Sequence, residues 1–362
     1  MTPGYASLRE LLAEAGYTFV EPPIVHPASV FVELLGEDLR RRLLLTSGAD
    51  GVELALRPDY TIPVCLHHLA AGPAKRRADY AYLGPVFRIR AAGPSEFHQA
   101  GIESLGRTDR TAADADVLKL AFEAAALLGV SRPRVRVGDS ALFAAALDAL
   151  SLNAPWQRRL ERTFGDTKRL KALIKRANGD RQAPSPPAEP ASKARVRRRV
   201  AELFAATGLG TVGGRLPDEI AERYVEKQVI AGGIGARAAT ALAAFLDIAG
   251  TPAKAADELR ALARSEKLDI ATAIGRFEKR VEAFATHGID VDRLMFAADF
   301  GRRLDYYTGF VFEFHAARGT EPLIGGGRYD RMMGLIARSR GGEGESVPAV
   351  GFAIWLDRVP QA

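Results

Sequence analysis

The way strand-like and helix-like patterns are distributed along the chain limits its architecture more than any other feature. Short alternating segments bounded by turn residues fall at Arg42–Ser47, Val52–Arg57, Tyr80–Leu83, Val86–Arg90, Phe97–Leu105 and Arg132–Val137. They return at Leu294–Ala298, Gly309–His315 and Val350–Ile354. Period-two alternation with tight connections predicts an antiparallel sheet, because parallel strands need long crossovers. Between the two sets, from Ser140 to about Ala285, the pattern is mostly helical and rich in Ala, Leu, Arg and Glu. Strands on both sides of a helical block predict one discontinuous α+β domain over 1–362, with a core of about 1–139 and 286–362. The helical insertion covers about 140–285.

Punctuation sharpens the reading. Ser7 and Glu10 have capping-box spacing at the start of an amphipathic helix that Gly16 stops. Pro22 and Pro23 keep residues 17–25 extended but out of a central strand. A second helix starts at Thr61, and a third runs from Ala112 to Leu128, capped by Thr111 and stopped by Gly129. Four prolines within Gly179–Ser192 make that stretch a surface loop or a disordered segment. The basic run Lys193–Arg199 could meet phosphate, but a solvated helix face is the plainer reading.

Composition excludes several classes. One cysteine, Cys65, rules out an intrachain disulfide and a thiolate metal cluster. His67 and His68 lack a second pair of ligands, and helix packing accounts for them, so no metal is expected. The N-terminus lacks a secretory layout and no run reaches membrane-spanning length, which predicts a cytoplasmic protein. Lys+Arg 50 against Asp+Glu 44 gives a net charge of +6, which permits nucleic-acid partners without requiring them.

Four constellations could carry chemistry. After a strand, Asp59 and Thr61 could hold an ammonium group, or simply cap the next helix. On the strand Phe97–Glu103, Gln99, Gly101 and Glu103 share one face, with the glycine leaving room for a ligand. Glu103 could accept an imidazole N–H, or the face could be a solvated one. Arg88 ends the segment Gly84-Pro-Val-Phe-Arg88, where a surface arginine is the default. Arg302 could clamp a carboxylate, while Tyr306 and Tyr307 offer hydroxyls and ring faces. Adjacent tyrosines on extended backbone point to opposite sides, so only a turn brings both to one pocket.

Taken together and in order, these segments resemble the histidyl-tRNA synthetases. Leu56-Arg-Pro-Asp59-Tyr-Thr61 is similar to the loop that holds the histidine amino group, with Asp59 in place of glutamate and one methylene shorter. Phe97-His-Gln99-Ala-Gly-Ile-Glu103 resembles the histidine-pocket strand. Gly301-Arg302-Arg303-Leu-Asp-Tyr306-Tyr307 resembles the histidine-specific signature, with Arg303 in place of glycine. Gly326-Gly-Arg-Tyr329-Asp resembles the segment whose glycines floor the pocket and whose tyrosine reaches the ligand. Arg88 matches the motif 2 arginine and Arg358 the motif 3 arginine that meets ATP.

The resemblance implies a class II synthetase-like antiparallel sheet flanked by helices, and a site for L-histidine. That site comprises Asp59, Thr61, Arg88, Gln99, Glu103, Arg302, Tyr306, Tyr307 and Tyr329. The nucleotide site is altered. Arg90 stands where the family has the glutamate that receives adenine, Trp355 stands where it has glycine, and Asp357 replaces a glutamate. A tryptophan of on the order of 200 Å² fills or reshapes that slot. No anticodon-binding domain is expected after Arg358. The combination is similar to the synthetase paralogues that serve as regulatory subunits of ATP phosphoribosyltransferase. That likeness implies no catalysis and no cofactor, a short-form catalytic subunit as partner, dimerisation and feedback inhibition by histidine. A minimal histidine-activating enzyme and a tRNA-binding scaffold are the alternatives.

Overall fold

The computed structural model describes residues 3–35, 37–72, 76–91, 93–179, 232–302 and 306–359, and residues 196, 198, 199, 202, 224 and 230. Most of the proline-rich stretch, part of the basic run Lys193–Arg199, and Arg303 lie outside these residues. Among the described residues, nine strands form one sheet in the order β1-β5-β6-β12-β11-β10-β7-β9-β8. They are β1 (Thr18–Phe19), β5 (Ala78–Phe87), β6 (Glu96–Leu105), β7 (Arg134–Asp139), β8 (Ala249–Gly250), β9 (Leu294–Ala297), β10 (Phe310–His315), β11 (Ile324–Arg328) and β12 (Ala349–Trp355). Pairing is antiparallel except for β1 with β5 and β7 with β9. Strands β2 (Val25–Pro27), β3 (Leu45–Ser47) and β4 (Glu53–Leu56) make a separate small sheet, in the order β2-β4-β3.

One face of the large sheet is apolar. Ile102, Phe312, Phe314, Ile324, Phe352 and Ile354 pack against Leu8 and Leu12 of α1 (Pro3–Glu14) and Val117, Leu118 and Ala121 of α5 (Arg110–Leu127). The same core takes in Leu242 of α9 (Ala236–Leu246), Leu259 of α10 (Pro252–Glu266) and Phe277 of α11 (Ala271–Thr286). Burying about ten such side chains at about 1.5–3 kcal/mol each supplies the main drive for layering helices on this face. An ion network ties the layers together. Asp114 of α5, wholly buried, accepts from Arg280 of α11 (2.8 Å) and Arg328 of β11 (2.6 Å), and Arg280 also pairs with Asp139. Breaking one partner of such a buried set costs about 3–5 kcal/mol.

Several sequence expectations are corrected. Helix α1 opens at Pro3, where a missing N–H costs nothing, so Ser7 lies inside the helix rather than at its cap. Helix α5 begins at Arg110, ahead of Thr111, after an Asp109 whose carboxylate is engaged by Arg107 (3.0 Å). The segments Tyr80–Leu83 and Val86–Arg90 form one strand that ends at Phe87, because Gly84 and Pro85 keep extended pairing with Gln99 and His98. Strand β11 went unseen because its three glycines read as a loop. Two sheet connections are parallel and the sheet is therefore mixed, with the antiparallel strands at its centre.

Candidate functional site

The other face of the central strands floors a cavity of about 450 Å³. Register explains why. Gln99 and Glu103 of β6 stand opposite Trp355 and Gly351 of β12, and Gly325 of β11 stands between Ala353 of β12 and Glu313 of β10. Polar side chains thus rise at the edges while glycine and alanine keep the middle low. A Cβ on Gly325 would sit 2.1 Å from Arg302 Nη1, and one on Gly351 would sit 2.0 Å from Glu103 Oε2. At Gly351 the Ile102 carbonyl, 2.3 Å away, excludes any side chain as well, whereas at Gly325 a Cβ would have to push the Arg302 guanidinium aside.

All nine residues expected to bind histidine line this cavity: Asp59, Thr61, Arg88, Gln99, Glu103, Arg302, Tyr306, Tyr307 and Tyr329. Tyr306 and Tyr307 both reach it, with ring centroids 4.8 Å apart, because the chain turns at Tyr306 instead of running extended. Thr61 opens α4 (Thr61–Ala70) but caps nothing there; its hydroxyl donates to Glu103 Oε1 at 2.7 Å. Tyr329 donates to Glu103 Oε2.

Charge in the cavity is balanced but not quenched. Burial pushes the Glu103 carboxyl up to about 8, against the lowering effect of its Tyr329 and Thr61 donors. Burial also raises Asp59, opposed by the Arg88 guanidinium. Among the described residues, neither Asp59 oxygen nor Arg302 Nη1 makes a hydrogen bond of full geometry, although the Thr61 and Ile62 backbone N–H groups approach Asp59 closely enough to lower it. Native proteins rarely leave buried charged atoms orphaned, so these three atoms mark where a ligand would bond. Burial lowers Arg88 to about 10, and its Nε donates to the Pro58 carbonyl at 2.5 Å. Burial pulls Arg302 down as well, but Tyr307 and Glu313 hold it above its ordinary value. The set offers one acceptor pair for an ammonium, one guanidinium edge for a carboxylate and a second carboxyl deeper in, at Glu103.

The positions that depart from the synthetase pattern form a second group. Trp355 is 5% exposed, and its indole N–H donates 3.0 Å to the Gln99 amide oxygen, which also accepts from Arg88 Nη2 at 3.1 Å. That donor pair fixes which way the amide faces. The guanidinium carbons of Arg302 and Arg358 lie 5.4 and 4.7 Å from the Trp355 ring centroid. Trp355 and Arg358 line the cavity; Arg90 does not. Arg90 instead pairs with Asp357 at 2.7 Å and lies over the Phe97 ring at 4.1 Å. The two acidic-site departures, at 90 and 357, therefore satisfy each other.

Sequence reasoning missed Glu313, which stands 3.7 Å from Arg302 Nε and lines the cavity. Its signal was present: a lone carboxylate on the alternating strand Phe310-Val-Phe-Glu313. It also missed Arg42 and Arg136 at the exposed rim, where an outward arginine reads as ordinary solvated surface.

Comparisons with known proteins converge on one family. The histidyl-tRNA synthetase family model matches residues 4–359. The ATP phosphoribosyltransferase regulatory subunit of Chelativorans sp. (strain BNC1) is 40% identical over 365 residues, covering 98% of this chain and 95% of its own. That of Brucella anthropi is 40% identical over 367 residues, covering 98% and 96%. The crystal structure of an ATP phosphoribosyltransferase regulatory subunit/histidyl-tRNA synthetase from Bacillus halodurans C superposes with TM-score 0.64 at 22% identity, covering 98% of this chain and 76% of that one. It speaks for the fold alone. With the synthetase frame and full-length relatives in agreement, the chain belongs to the family of ATP phosphoribosyltransferase regulatory subunits built on the histidyl-tRNA synthetase fold.

Proposed function

We propose that this chain is the non-catalytic, histidine-sensing subunit of ATP phosphoribosyltransferase, the first enzyme of histidine biosynthesis. It works in the cytoplasm and supports a short-form catalytic subunit, which it inhibits when histidine is bound. The observation that carries the ligand is that the Asp59 oxygens and Arg302 Nη1, none of them in a hydrogen bond of full geometry, line one cavity of about 450 Å³. That size is ordinary for a small-molecule site. In this reading the ligand ammonium meets Asp59, its carboxylate meets Arg302 and Arg88, and its imidazole N–H meets Glu103. Trp355, held by Gln99, occupies space a nucleotide would need. Among the described residues no helix is long and apolar enough to cross a membrane.

Histidine can inhibit at a distance only by binding one assembly state more tightly than another. Self-association as a dimer is supported by the exposed apolar side chains Ile24, Val25, Val32, Leu45, Val52 and Ile89 on or beside the small sheet. Isothermal titration with L-histidine, alone and with the catalytic subunit, tests the reading; no binding in either case refutes the sensor role. Sustained histidine-dependent pyrophosphate exchange would instead make the chain an amino-acid-activating enzyme.

A further inference from the structure

A second and larger groove, about 1070 Å³, lies beside the ligand cavity and shares Tyr306 with it. Among the described residues, seven arginines and two acidic residues line it. Helical period puts them there. Along α7 (Ala154–Thr163), Pro155, Arg158, Arg159 and Arg162 fall at i, i+3, i+4 and i+7, on one face. Along α8 (Thr167–Gly179), Arg169, Ala172, Leu173 and Arg176 repeat the same spacing. Leu34 and Leu35 at the end of α2 (Ala28–Leu34) and Leu335 of α12 (Met332–Ser339) line it as well. Arg40, Arg159, Arg162, Arg169 and Arg176 are exposed, while Leu34, Leu35 and Leu173 form a buried floor. Of the two acids, Asp166 is already engaged, capping the Arg169 backbone N–H at 3.1 Å.

We propose that this groove seats an acidic segment of a protein partner, with apolar side chains on the aliphatic floor and carboxylates on the arginine rim. Charge complementarity selects the sign of the occupant. The floor selects protein over nucleic acid. Single strands are held by aromatic stacking platforms, and the groove's Phe164 ring is already stacked on Phe143 at 4.4 Å. Tyr306 makes the groove more than a patch. Its buried ring packs on Tyr307 and Tyr329 in the ligand cavity, so an occupant and a cavity ligand touch the same side chain.

The proposal rests on the functional reading above, so the partner to use is the short-form catalytic subunit. The triple variant Arg162→Glu/Arg169→Glu/Arg176→Glu should bind it at least about tenfold more weakly at 0.1 M salt. The matching Arg→Lys variant should retain most affinity, wild-type binding should weaken as salt rises, and histidine titration should give all three proteins the same affinity. Wild-type-like assembly by the Glu variant overturns the groove while leaving the functional reading intact. Failure of the wild-type chain to bind the catalytic subunit overturns the functional reading itself. Binding of a single-stranded RNA that is tighter than partner binding and is lost in the same variant overturns the acidic-protein occupant.

Discussion

Glu103→Gln isolates a strongly perturbed acid of the cavity. Its carboxyl is held at about 8 rather than 4.5, with burial the largest cause. The folded value lies above the unfolded one, so the stability it contributes is full below pH 4.5 and is lost as pH rises through about 8. Between pH 6 and pH 9 the unfolded chain already carries an ionised glutamate, while the folded chain must release its proton. Integrating proton binding over that interval gives a loss of about 3 kcal/mol from this residue alone. Glutamine cannot ionise. It keeps an acceptor for Thr61, and its amide lets Tyr329 turn from donor to acceptor, so at pH 6 the variant should stay within about 1 kcal/mol of wild type. Urea unfolding of both proteins at pH 6, 7, 8 and 9 measures the difference, in which titrating groups that do not sense Glu103 cancel. The wild-type curve should fall relative to the variant by about 3 kcal/mol across the series. Parallel curves would refute the account of Glu103 as a buried acid that is neutral at pH 7.

Three further outcomes follow from the same geometry. Asp59→Asn should weaken histidine binding about 10- to 100-fold by calorimetry while the ligand-free protein melts no lower, because a buried carboxylate without a hydrogen bond of full geometry has been removed. Gly325→Ala should fold, since the new Cβ meets only the flexible end of Arg302, but the displaced guanidinium should cost at least about tenfold in histidine affinity. Trp355→Gly should lower stability by about 3–5 kcal/mol in denaturant titration, as for other buried aromatics cut to small residues, and Trp355→Phe by no more than about 2 kcal/mol.

Strand β6 was legible because Phe97–Glu103 alternates and its polar face repeats every second residue. Strand β11 was not, because glycine carries no pattern; its extended state is imposed by pairing with β10 and β12 and by Arg302 lying across it. The nine cavity residues were legible through their motifs, whereas the Glu313–Arg302 contact joins positions the sequence keeps apart. Arg90 and Asp357 read as two separate departures in the sequence, and only the fold shows that they are one ion pair. The arginines of α7 and α8 sat in plain view at helical spacing, but their shared groove depends on how two helices meet, which periodicity alone does not give.

The loss of the synthetase pattern at Trp355 also answers an electrostatic problem. Arg88, Arg302 and Arg358 converge on one cavity, and the latter two each push Arg88 down, a like-charge repulsion that something must oppose. In a nucleotide-binding site phosphates could do so. Here the opposition is internal: Gln99 accepts from Arg88, Glu313 faces Arg302, Glu321 lies 3.2 Å from Arg358, and the Trp355 ring lies beside the latter two guanidiniums. The compensation is incomplete at Arg302 Nη1, which is left for a ligand carboxylate. In the proposed role occupancy of the cavity by histidine depends on histidine and on the assembly state of the subunit. By reciprocity, whatever factor histidine imposes on partner binding, the partner imposes on histidine binding.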